Sequence, residues 1–290
     1  MSPVQDAEIG PFPLGAQITL RRMLLRNPNP KGTVLLLHGF PETLLAWHDI
    51  AHALADDFEV HAFDWPGYGL SSRPADGTFS YAPKDYARVL KDYITEAGID
   101  RSTLTIYATD IGALPALLLA LDEPDIARRI IVGDFAPLDR PQYMWESLQG
   151  LKAQPTSDAI RDFMNKNREE ILANVFYRGL PDDARYAVSK DLQDDMARGW
   201  DHGEMTSVDA FQRYYLHFSR DQAFLEANLG RLRTPVRVVW GGDDILIKKD
   251  MGREFAEKVG APFHALPGVG HFPHLQAPAA SIEDIRASYR

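Results

Sequence analysis

The sequence predicts an α/β fold with a mostly parallel sheet, helices on both faces of that sheet, and a helical cap insertion. From about residue 17 to residue 138, short β-branched or apolar runs alternate with longer amphipathic stretches, which is typical of βα units. The continuous apolar run VLLLH at residues 34–38 indicates a strand that is buried on both faces. After Pro137 the strand signals give way to charged helical segments, and they resume near Pro235.

The first block of elements supplies five predicted strands, at residues 17–25, 33–37, 59–63, 103–108 and 129–132. Between the third and fourth of them, apolar side chains from Tyr86 to Ala97 recur at helical spacing and predict a core-packed helix that ends at Gly98. Strand signals at 235–240 and 261–266 predict that a second block completes the same sheet.

The residues between the two blocks predict a separate helical unit. Helical segments are expected at 158–175, 182–198 and 208–227. We therefore expect a core formed by residues 1–138 and 232–290, and a helical cap, or lid, formed by residues 139–231. The functional site should lie beneath this cap, at the carboxyl ends of the strands.

The composition excludes several classes of protein. The 290 residues include 31 Lys and Arg, 41 Asp and Glu, and no cysteine, so the formal net charge is −10 at pH 7. Without cysteine, the chain cannot be a disulfide-stapled module, a cysteine-ligated metalloprotein or an enzyme with a cysteine nucleophile. The acidic balance argues against nucleic acid as a partner.

The sequence also gives no sign of a membrane or export signal. The longest apolar run, residues 114–121, has eight residues and includes Pro115, whereas a membrane-spanning helix needs roughly 20. The first ten residues show neither a basic start nor an apolar segment. We therefore expect no membrane association and a cytoplasmic location.

The segment ATDIG at residues 108–112 has the features of a nucleophile elbow with aspartate in place of serine. A β run precedes it and a helix follows at once. An elbow holds its nucleophile in a strained conformation and needs small residues two positions before and after it, which Ala108 and Gly112 provide. Asp110 tolerates a left-handed backbone, and the helix N-terminus stabilises its carboxylate. The alternative is that Asp110 only caps the helix.

Three further segments favour a catalytic function for Asp110. The sequence HGFP at residues 38–41 follows a strand, where the amide of Phe40 would supply the first half of an oxyanion hole. Asp244 follows a later strand, and His271 lies on a loop after the last one. The chain order of nucleophile, acid and base is the order found in α/β-hydrolases.

These residues give the chain a resemblance to the α/β-hydrolase superfamily, specifically to its branch with an aspartate nucleophile. That branch contains epoxide hydrolases and haloalkane and haloacid dehalogenases. The resemblance covers nearly the whole chain, from the strand before His38 to Pro278. HGFPE at residues 38–42 resembles the H-G-x-P motif of epoxide hydrolases, and FDWPGYGLSSRP at residues 63–74 resembles the D-x-x-G-x-G-x-S stretch of the family.

The resemblance implies a two-step hydrolysis through an alkyl-enzyme ester. Asp110 would attack an sp³ carbon, and His271 would then deprotonate the water that hydrolyses the ester. The amides of Phe40 and Ile111 would hold the oxyanion, and Asp244 would orient His271. Esterase activity is disfavoured, because attack by a carboxylate on an ordinary ester gives an anhydride with little driving force.

Among the branch activities, the resemblance favours epoxide hydrolysis to a vicinal diol. Haloalkane dehalogenases carry a halide-binding Trp after the nucleophile, whereas this chain has Ile111; fluoroacetate-type enzymes carry Arg there and three residues later, whereas this chain has Ile111 and Leu114. AFQRYYLHF at residues 210–218 resembles the cap segment with the ring-opening tyrosine, which would be Tyr215, with Tyr214 as the alternative. A dehalogenase with a non-standard halide site remains the second hypothesis.

Several residue roles stay open at this level. Asp134, in IIVGDFAP, competes with Asp244 for the acid position, because part of the branch places the acid after the preceding strand. A second proton donor in the cap could be Tyr143, Tyr177 or Trp145, and the last could also donate to a halide. Further substrate contacts are expected from the remaining predicted site residues, His38, Pro41 and Tyr214.

The expected partners are a small apolar electrophile and water. No cofactor or metal is expected, since neither a phosphate-binding P-loop nor a complete G-x-G-x-x-G is present. The protein would act as a monomer or a homodimer. A hypothesis from a different functional class is that the fold serves as a binding or regulatory module without turnover. The presence of Asp110, Asp244 and His271 together argues against this hypothesis.

Overall fold

A computed structural model describes residues 6–75 and 77–290, and one eight-stranded sheet lies at its centre. Across the sheet the strand order is β1-β2-β4-β3-β5-β6-β7-β8. In chain order the strands are β1 (Glu8–Leu14), β2 (Ile18–Leu25), β3 (Thr33–Leu37), β4 (Glu59–Phe63), β5 (Leu104–Thr109), β6 (Arg129–Gly133), β7 (Val236–Gly241) and β8 (Phe263–Leu266). The first two strands pair antiparallel, and the strands from β3 to β8 run parallel. The carboxyl ends of six strands therefore meet at one edge.

Helices cover both faces of the sheet, as the sequence predicts. In β3, Leu35 and Leu37 belong to one buried apolar cluster and Val34 and Leu36 to the other, so successive side chains enter opposite layers. Six helices belong to the two blocks that build the sheet: α1 (His48–Leu54), α2 (Pro83–Glu96), α3 (Ala113–Asp122), α9 (Lys249–Val259), α10 (Pro273–Gln276) and α11 (Pro278–Ala287).

The other helices lie between β6 and β7, within what we call the helical insertion, residues 139–231. They are α4 (Glu146–Gly150), α5 (Thr156–Lys166), α6 (Arg168–Asn174), α7 (Lys190–Trp200) and α8 (Ser207–Asn228). Within the described residues, this segment adds no strand to the sheet. In the described part of the chain, none of the helices combines the length and apolar character needed to cross a membrane.

Three elements differ from the sequence prediction. β1 was not predicted, because Pro11 and Pro13 disfavour a strand; it lies at the edge of the sheet, where proline is tolerated. The helix predicted over 182–198 begins only at Lys190, because Ser189 caps it by accepting the Leu192 N–H. The helix predicted over 158–175 is two helices, α5 and α6, separated at residue 167.

A buried ionic network fastens the helical insertion to the sheet. Arg21 of β2 donates through Nε to Asp64, at 2.6 Å, and through Nη1 to Asp195 of α7, at 2.8 Å. Thr43, in the loop after β3, also donates to Asp195. Both carboxylates are fully buried, so the hydrogen bonds and the positive charge of these partners replace the hydration that each carboxylate has lost. The network holds α7 beside the loop that contains Phe40.

Candidate active site

Asp110 lies immediately after β5 in a strained backbone conformation. Its φ of +48° is in the left-handed region, which non-glycine residues rarely adopt outside functional sites. A Cβ atom on Gly39 would lie 2.6 Å from the Cβ of Asp110, and one on Gly112 would lie 3.2 Å from the carbonyl oxygen of His38. The turn and the end of β3 therefore approach closely because both neighbours are glycine.

The Asp110 carboxylate lies between two loops at the carboxyl edge of the sheet. The Phe40 N–H donates to Oδ1 at 2.7 Å, and Oδ2 lies 3.6 Å from Nε2 of His271. The N-cap residue of α3 is Gly112, so Asp110 does not serve as the simple helix cap of the alternative interpretation. The contribution of the Ile111 amide to an oxyanion hole stays a prediction.

His271 connects Asp110 to a second carboxylate. Its Nδ1 lies 2.8 Å from Oδ2 of Asp244, while Oδ1 of Asp244 accepts the amide N–H groups of Leu246 and Ile247 at 2.8 and 3.1 Å. Asp244 and His271 are both buried. The structure therefore brings three predicted residues, distant in sequence, into one connected row: Asp110, His271 and Asp244.

The charge of His271 depends on these two carboxylates. Burial disfavours the imidazolium, but the negative charges of Asp244 and then Asp110 outweigh that effect and raise the pKa of His271 well above its usual value. In the free protein, His271 is therefore positively charged at neutral pH. Removing the charge of Asp110 would lower the pKa of His271, because one of its two stabilising anions would be lost.

Asp134, the competing acid, lies in the same buried cluster. One oxygen accepts the Gly241 N–H at 2.8 Å, and the other has no hydrogen-bond partner among the described residues. Burial and the nearby charge of Asp244 raise the pKa of Asp134 well above its usual value. Burial and the charge of Asp244 thus favour the neutral form of Asp134, and it is Asp244 that contacts His271. The polar atoms of these three residues lie within 4.8 Å of one another, but a protonated Asp134 is a poor ligand for a cation.

A cavity of about 320 Å³ opens above Asp110 and His271. The helical insertion supplies most of its wall. Two large side chains at this wall, Trp145 and Phe163, are exposed to 39% and 59%. The apolar lining residues are Phe40, Trp145, Leu148, Leu151, Ala159, Ile160, Phe163, Met164, Ile171, Val175, Phe211 and Leu246. This lining suits a substrate with a substantial apolar part.

The adjacent tyrosines of α8 have different environments. Tyr214 donates its hydroxyl hydrogen to the carbonyl of Ile111 at 3.0 Å, which links α8 to the elbow. Both tyrosines line a small recess together with Asp110, but the Tyr215 hydroxyl is not committed to the elbow as that of Tyr214 is. Burial, and next the charge of Asp110, raise the pKa of Tyr215 well above its usual value, so it keeps its proton. Tyr215 is therefore the better placed of the two to donate a proton next to Asp110.

The predicted substrate contacts at the end of β3 have structural partners. His38 is fully buried: its Nδ1 lies 2.8 Å from the Gly39 carbonyl, and its Nε2 accepts the Trp65 N–H. Pro41 is buried and follows Phe40 through a cis peptide bond. Neither is among the described residues that line the cavity. Their contact with substrate stays a prediction.

The candidate second donors of the insertion also differ in position. Trp145 lines the cavity. Tyr143 is half-buried and accepts the Lys248 N–H through its carbonyl, and the hydroxyl of Tyr177 donates to the Tyr186 carbonyl. Among the described residues, neither these two tyrosines nor Tyr214 and Tyr215 of α8 line this cavity. Trp145 is therefore the candidate that can reach a substrate in this cavity.

Sequence reasoning missed a buried pair, Glu42 and His274, that supports the Phe40 loop. Oε1 of Glu42 lies 2.6 Å from Nε2 of His274, and Oε2 accepts the Gly39 N–H at 3.0 Å. The His274 ring stacks on Trp47, with centroids 4.4 Å apart. Glu42 belongs to the HGFPE motif, so its sequence position pointed to this loop, but its partner lies 232 residues away.

Comparison with known proteins places the chain among hydrolases. A family model described as "alpha/beta hydrolase fold" matches residues 32–278. The chain is similar to haloalkane dehalogenase 2 of Mycobacterium tuberculosis (strain ATCC 25618 / H37Rv), with 33% identity over 108 residues, which are 37% of this chain and 36% of that protein. It is also similar to a soluble epoxide hydrolase of Corynebacterium sp. (strain C12), with 29% identity over 104 residues, or 36% and 35% of the two chains.

A solved structure agrees over the whole length. The crystal structure of Cfl2 wild-type from Burkholderia cenocepacia superimposes with a TM-score of 0.80 at 21% identity, covering 100% of this chain and 98% of that one. This likeness shows the fold. The chain spans about a third of the length of the two curated relatives in its sequence matches.

Proposed function

The chain belongs to the α/β-hydrolase fold family, and on this premise we propose that it is a hydrolase that opens epoxides through an ester on Asp110. The family match and the structural neighbour confirm the predicted fold class. The observation that carries the proposal is the position of Asp110, in a left-handed turn between the Phe40 amide and His271.

In the proposed first step, Oδ2 of Asp110 attacks an epoxide carbon and the carbon–oxygen bond of the ring breaks. The new alkoxide takes the proton of the Tyr215 hydroxyl. The high pKa of Tyr215 does not prevent this transfer, because an alkoxide is a far stronger base than a tyrosinate. The product of the step is a hydroxyalkyl ester of Asp110.

In the second step, a water molecule attacks the carbonyl carbon of the ester. The Phe40 N–H already donates to Oδ1 of Asp110, the atom on which negative charge then develops. Since esterification removes the charge of Asp110, the pKa of His271 falls, and the imidazolium releases the proton that restores the Tyr215 hydroxyl through solvent. The neutral imidazole then accepts a proton of the attacking water. The bond between the carbonyl carbon and the alkyl oxygen then breaks, and the departing alkoxide takes the proton of the newly added hydroxyl group. The diol leaves, and Asp110 is again a carboxylate beside a protonated His271.

The position of Tyr215 favours an epoxide over a carbon–halogen bond. A halide leaves without a proton and needs only N–H donors, whereas an alkoxide needs an acid. Tyr215 lines a recess with Asp110, and its neighbour Tyr214, which also lines that recess, already donates its hydroxyl hydrogen to the Ile111 carbonyl. Trp145, which lines the cavity, supports the second hypothesis, a dehalogenase whose halide accepts its indole N–H. Chloride or bromide release would identify that activity.

Replacement of Tyr215 by phenylalanine tests the epoxide hypothesis. Because the hydroxyl protonates only an alkoxide, we expect Tyr215→Phe to lower kcat for epoxides by about 10²–10⁴-fold and to leave any haloalkane turnover nearly unchanged. The measurement is diol formation and halide release on matched substrates. Tyr214→Phe is the control: it loses its bond to the elbow and should affect both substrate classes to the same small extent. Equal losses for both classes in Tyr215→Phe would show that Tyr215 only packs.

The two acids beside His271 should respond very differently to amidation. Asp244→Asn removes the charge that stabilises the imidazolium. Its amide can also present an N–H group to Nδ1 and favour the wrong tautomer of His271, so kcat should fall by about 10⁴-fold. The largest effect that raises the pKa of His271 is also lost. The acid limb of the pH–rate profile should therefore move to lower pH.

Asp134→Asn is the matched comparison for that variant. Because burial and the charge of Asp244 favour the neutral form of Asp134, the amide substitutes for a carboxyl group of the same shape and charge. We therefore expect kcat to fall less than tenfold, by the ordinary cost of a modified neutral contact, about 1 kcal/mol. Steady-state rates of the two variants on one substrate decide the assignment. A larger loss in Asp134→Asn than in Asp244→Asn would assign the acid role to Asp134.

A further inference from the structure

The cavity above Asp110 contains one cationic side chain other than His271. Among the described lining residues, Arg178 is the only Lys or Arg, and most of the remaining wall is apolar. Its side chain is 37% exposed, and its ion pair with Glu170 spans 3.9 Å from Nη2 to Oε2, longer than a hydrogen bond. Arg178 is therefore part of the cavity wall, and its ion pair with Glu170 is too long to be a hydrogen bond.

The backbone around Arg178 is fixed against the loops that hold the candidate catalytic residues. The ring of Phe176 contacts that of Phe272, next to His271, with centroids 4.8 Å apart. Gly179 packs so closely on Ile245, next to Asp244, that a Cβ atom would lie 2.7 Å from its side chain. Arg178 thus occupies a defined place on the wall of the cavity, beside the His271 loop.

The charge of Asp110 affects which substrates can approach it, and a nearby arginine changes that effect. An anionic substrate that approaches Asp110 is repelled by the carboxylate it must react with, whereas a neutral epoxide or haloalkane is not. A guanidinium group on the same cavity offsets this repulsion and binds a planar carboxylate through paired N–H groups.

We propose that Arg178 forms a carboxylate-binding subsite, and that the substrate is an amphipathic molecule with an apolar chain, a reactive epoxide carbon and a carboxylate. The epoxide in this substrate rests on the proposed function, whereas the carboxylate is inferred from Arg178 alone. The apolar chain contacts the wall formed by the helical insertion, and the carboxylate accepts from the guanidinium of Arg178.

A binding experiment without turnover tests the subsite directly. The probes are hexanoate and hexanamide, which share a chain and differ in charge, and the measurement is calorimetric titration of the wild-type protein. We expect hexanoate to bind about tenfold more tightly, as a charge-assisted contact at a partly exposed site should allow. Arg178→Met should abolish this preference. Arg185→Met, a change at an exposed arginine outside the described cavity lining, is the control and should retain it.

Two results would overturn the subsite. One is equal affinity of the wild-type protein for the two probes, and the other is a preference for hexanoate that survives in Arg178→Met. Retention of the unfolding midpoint in Arg178→Met shows that the variant is folded. Because hexanoate has no electrophilic carbon, this experiment gives its answer whether or not the protein hydrolyses epoxides.

A turnover experiment separates this proposal from the proposed function. The substrates are 5,6-epoxyhexanoate and 1,2-epoxyhexane. We expect the carboxylate to be preferred through a lower KM, and the preference to disappear in Arg178→Met with little change in kcat. If neither epoxide is hydrolysed while the preference for hexanoate persists, the epoxide assignment fails and the carboxylate subsite stands. If both epoxides are hydrolysed with equal KM, the subsite fails and the epoxide assignment stands.

Discussion

Asp110→Asn should abolish turnover, with a fall in kcat of about 10⁶-fold, the size seen when a nucleophile of a hydrolytic triad is removed. The amide cannot form the alkyl ester, so the first step is lost and the second has no substrate. The measurement is product formation over many hours by mass-detected chromatography, together with a rapid-quench search for a covalent intermediate.

Asparagine is the informative replacement because it changes the chemistry and leaves the turn intact. Asparagine and aspartate both tolerate the left-handed conformation that Asp110 adopts, with its φ of +48°. The amide oxygen can still accept the Phe40 N–H. The unfolding midpoint should therefore remain close to that of the wild-type protein, and a variant that is folded and fully active would exclude Asp110 as the nucleophile.

His271→Gln should lose turnover to a similar extent, but at the other step. Alkylation of Asp110 needs no base, so the variant should form one equivalent of ester per protein and then stop. With substrate in excess over the protein, substrate should disappear in a burst that equals the protein concentration, without release of diol. A variant that shows no burst yet binds substrate would mean that His271 is required before the ester forms.

Much of the fold could be predicted because its elements carry strong local patterns. β3 alternates its leucines and valine between two buried layers, which makes it apolar throughout, and α2 shows a regular helical period. β1 could not be predicted, since its two prolines are tolerated only by its edge position. The start of α7 was misplaced because the cap at Ser189 is one weak polar signal among many charges.

The parts of the candidate site that could be predicted are those whose backbone geometry requires particular residues at fixed positions in the sequence. The elbow at Asp110 and the loop at Phe40 need glycine and small residues at fixed offsets, and those offsets are visible in sequence. The choice between Asp134 and Asp244 was not, because both follow strands and only the three-dimensional contact with Nδ1 of His271 separates them. Arg178 was not predicted for the same reason: a single arginine in a turn of the helical insertion has no local feature that places it at a cavity.

Intact-protein mass spectrometry of His271→Gln shows whether the protein forms a covalent ester on Asp110. The variant is incubated with a panel of epoxides, haloalkanes and haloalkanoates, with Asp110→Asn/His271→Gln as the control. We expect the mass of His271→Gln to increase by that of the whole epoxide. The added mass should lie on the peptide that contains Asp110 and should be absent from the control. An increase equal to the substrate minus hydrogen halide would keep the nucleophile and change the substrate class. Two results would exclude an ester on Asp110 as the intermediate. One is the absence of an adduct with a substrate that the wild-type protein hydrolyses, and the other is an equal adduct in the control.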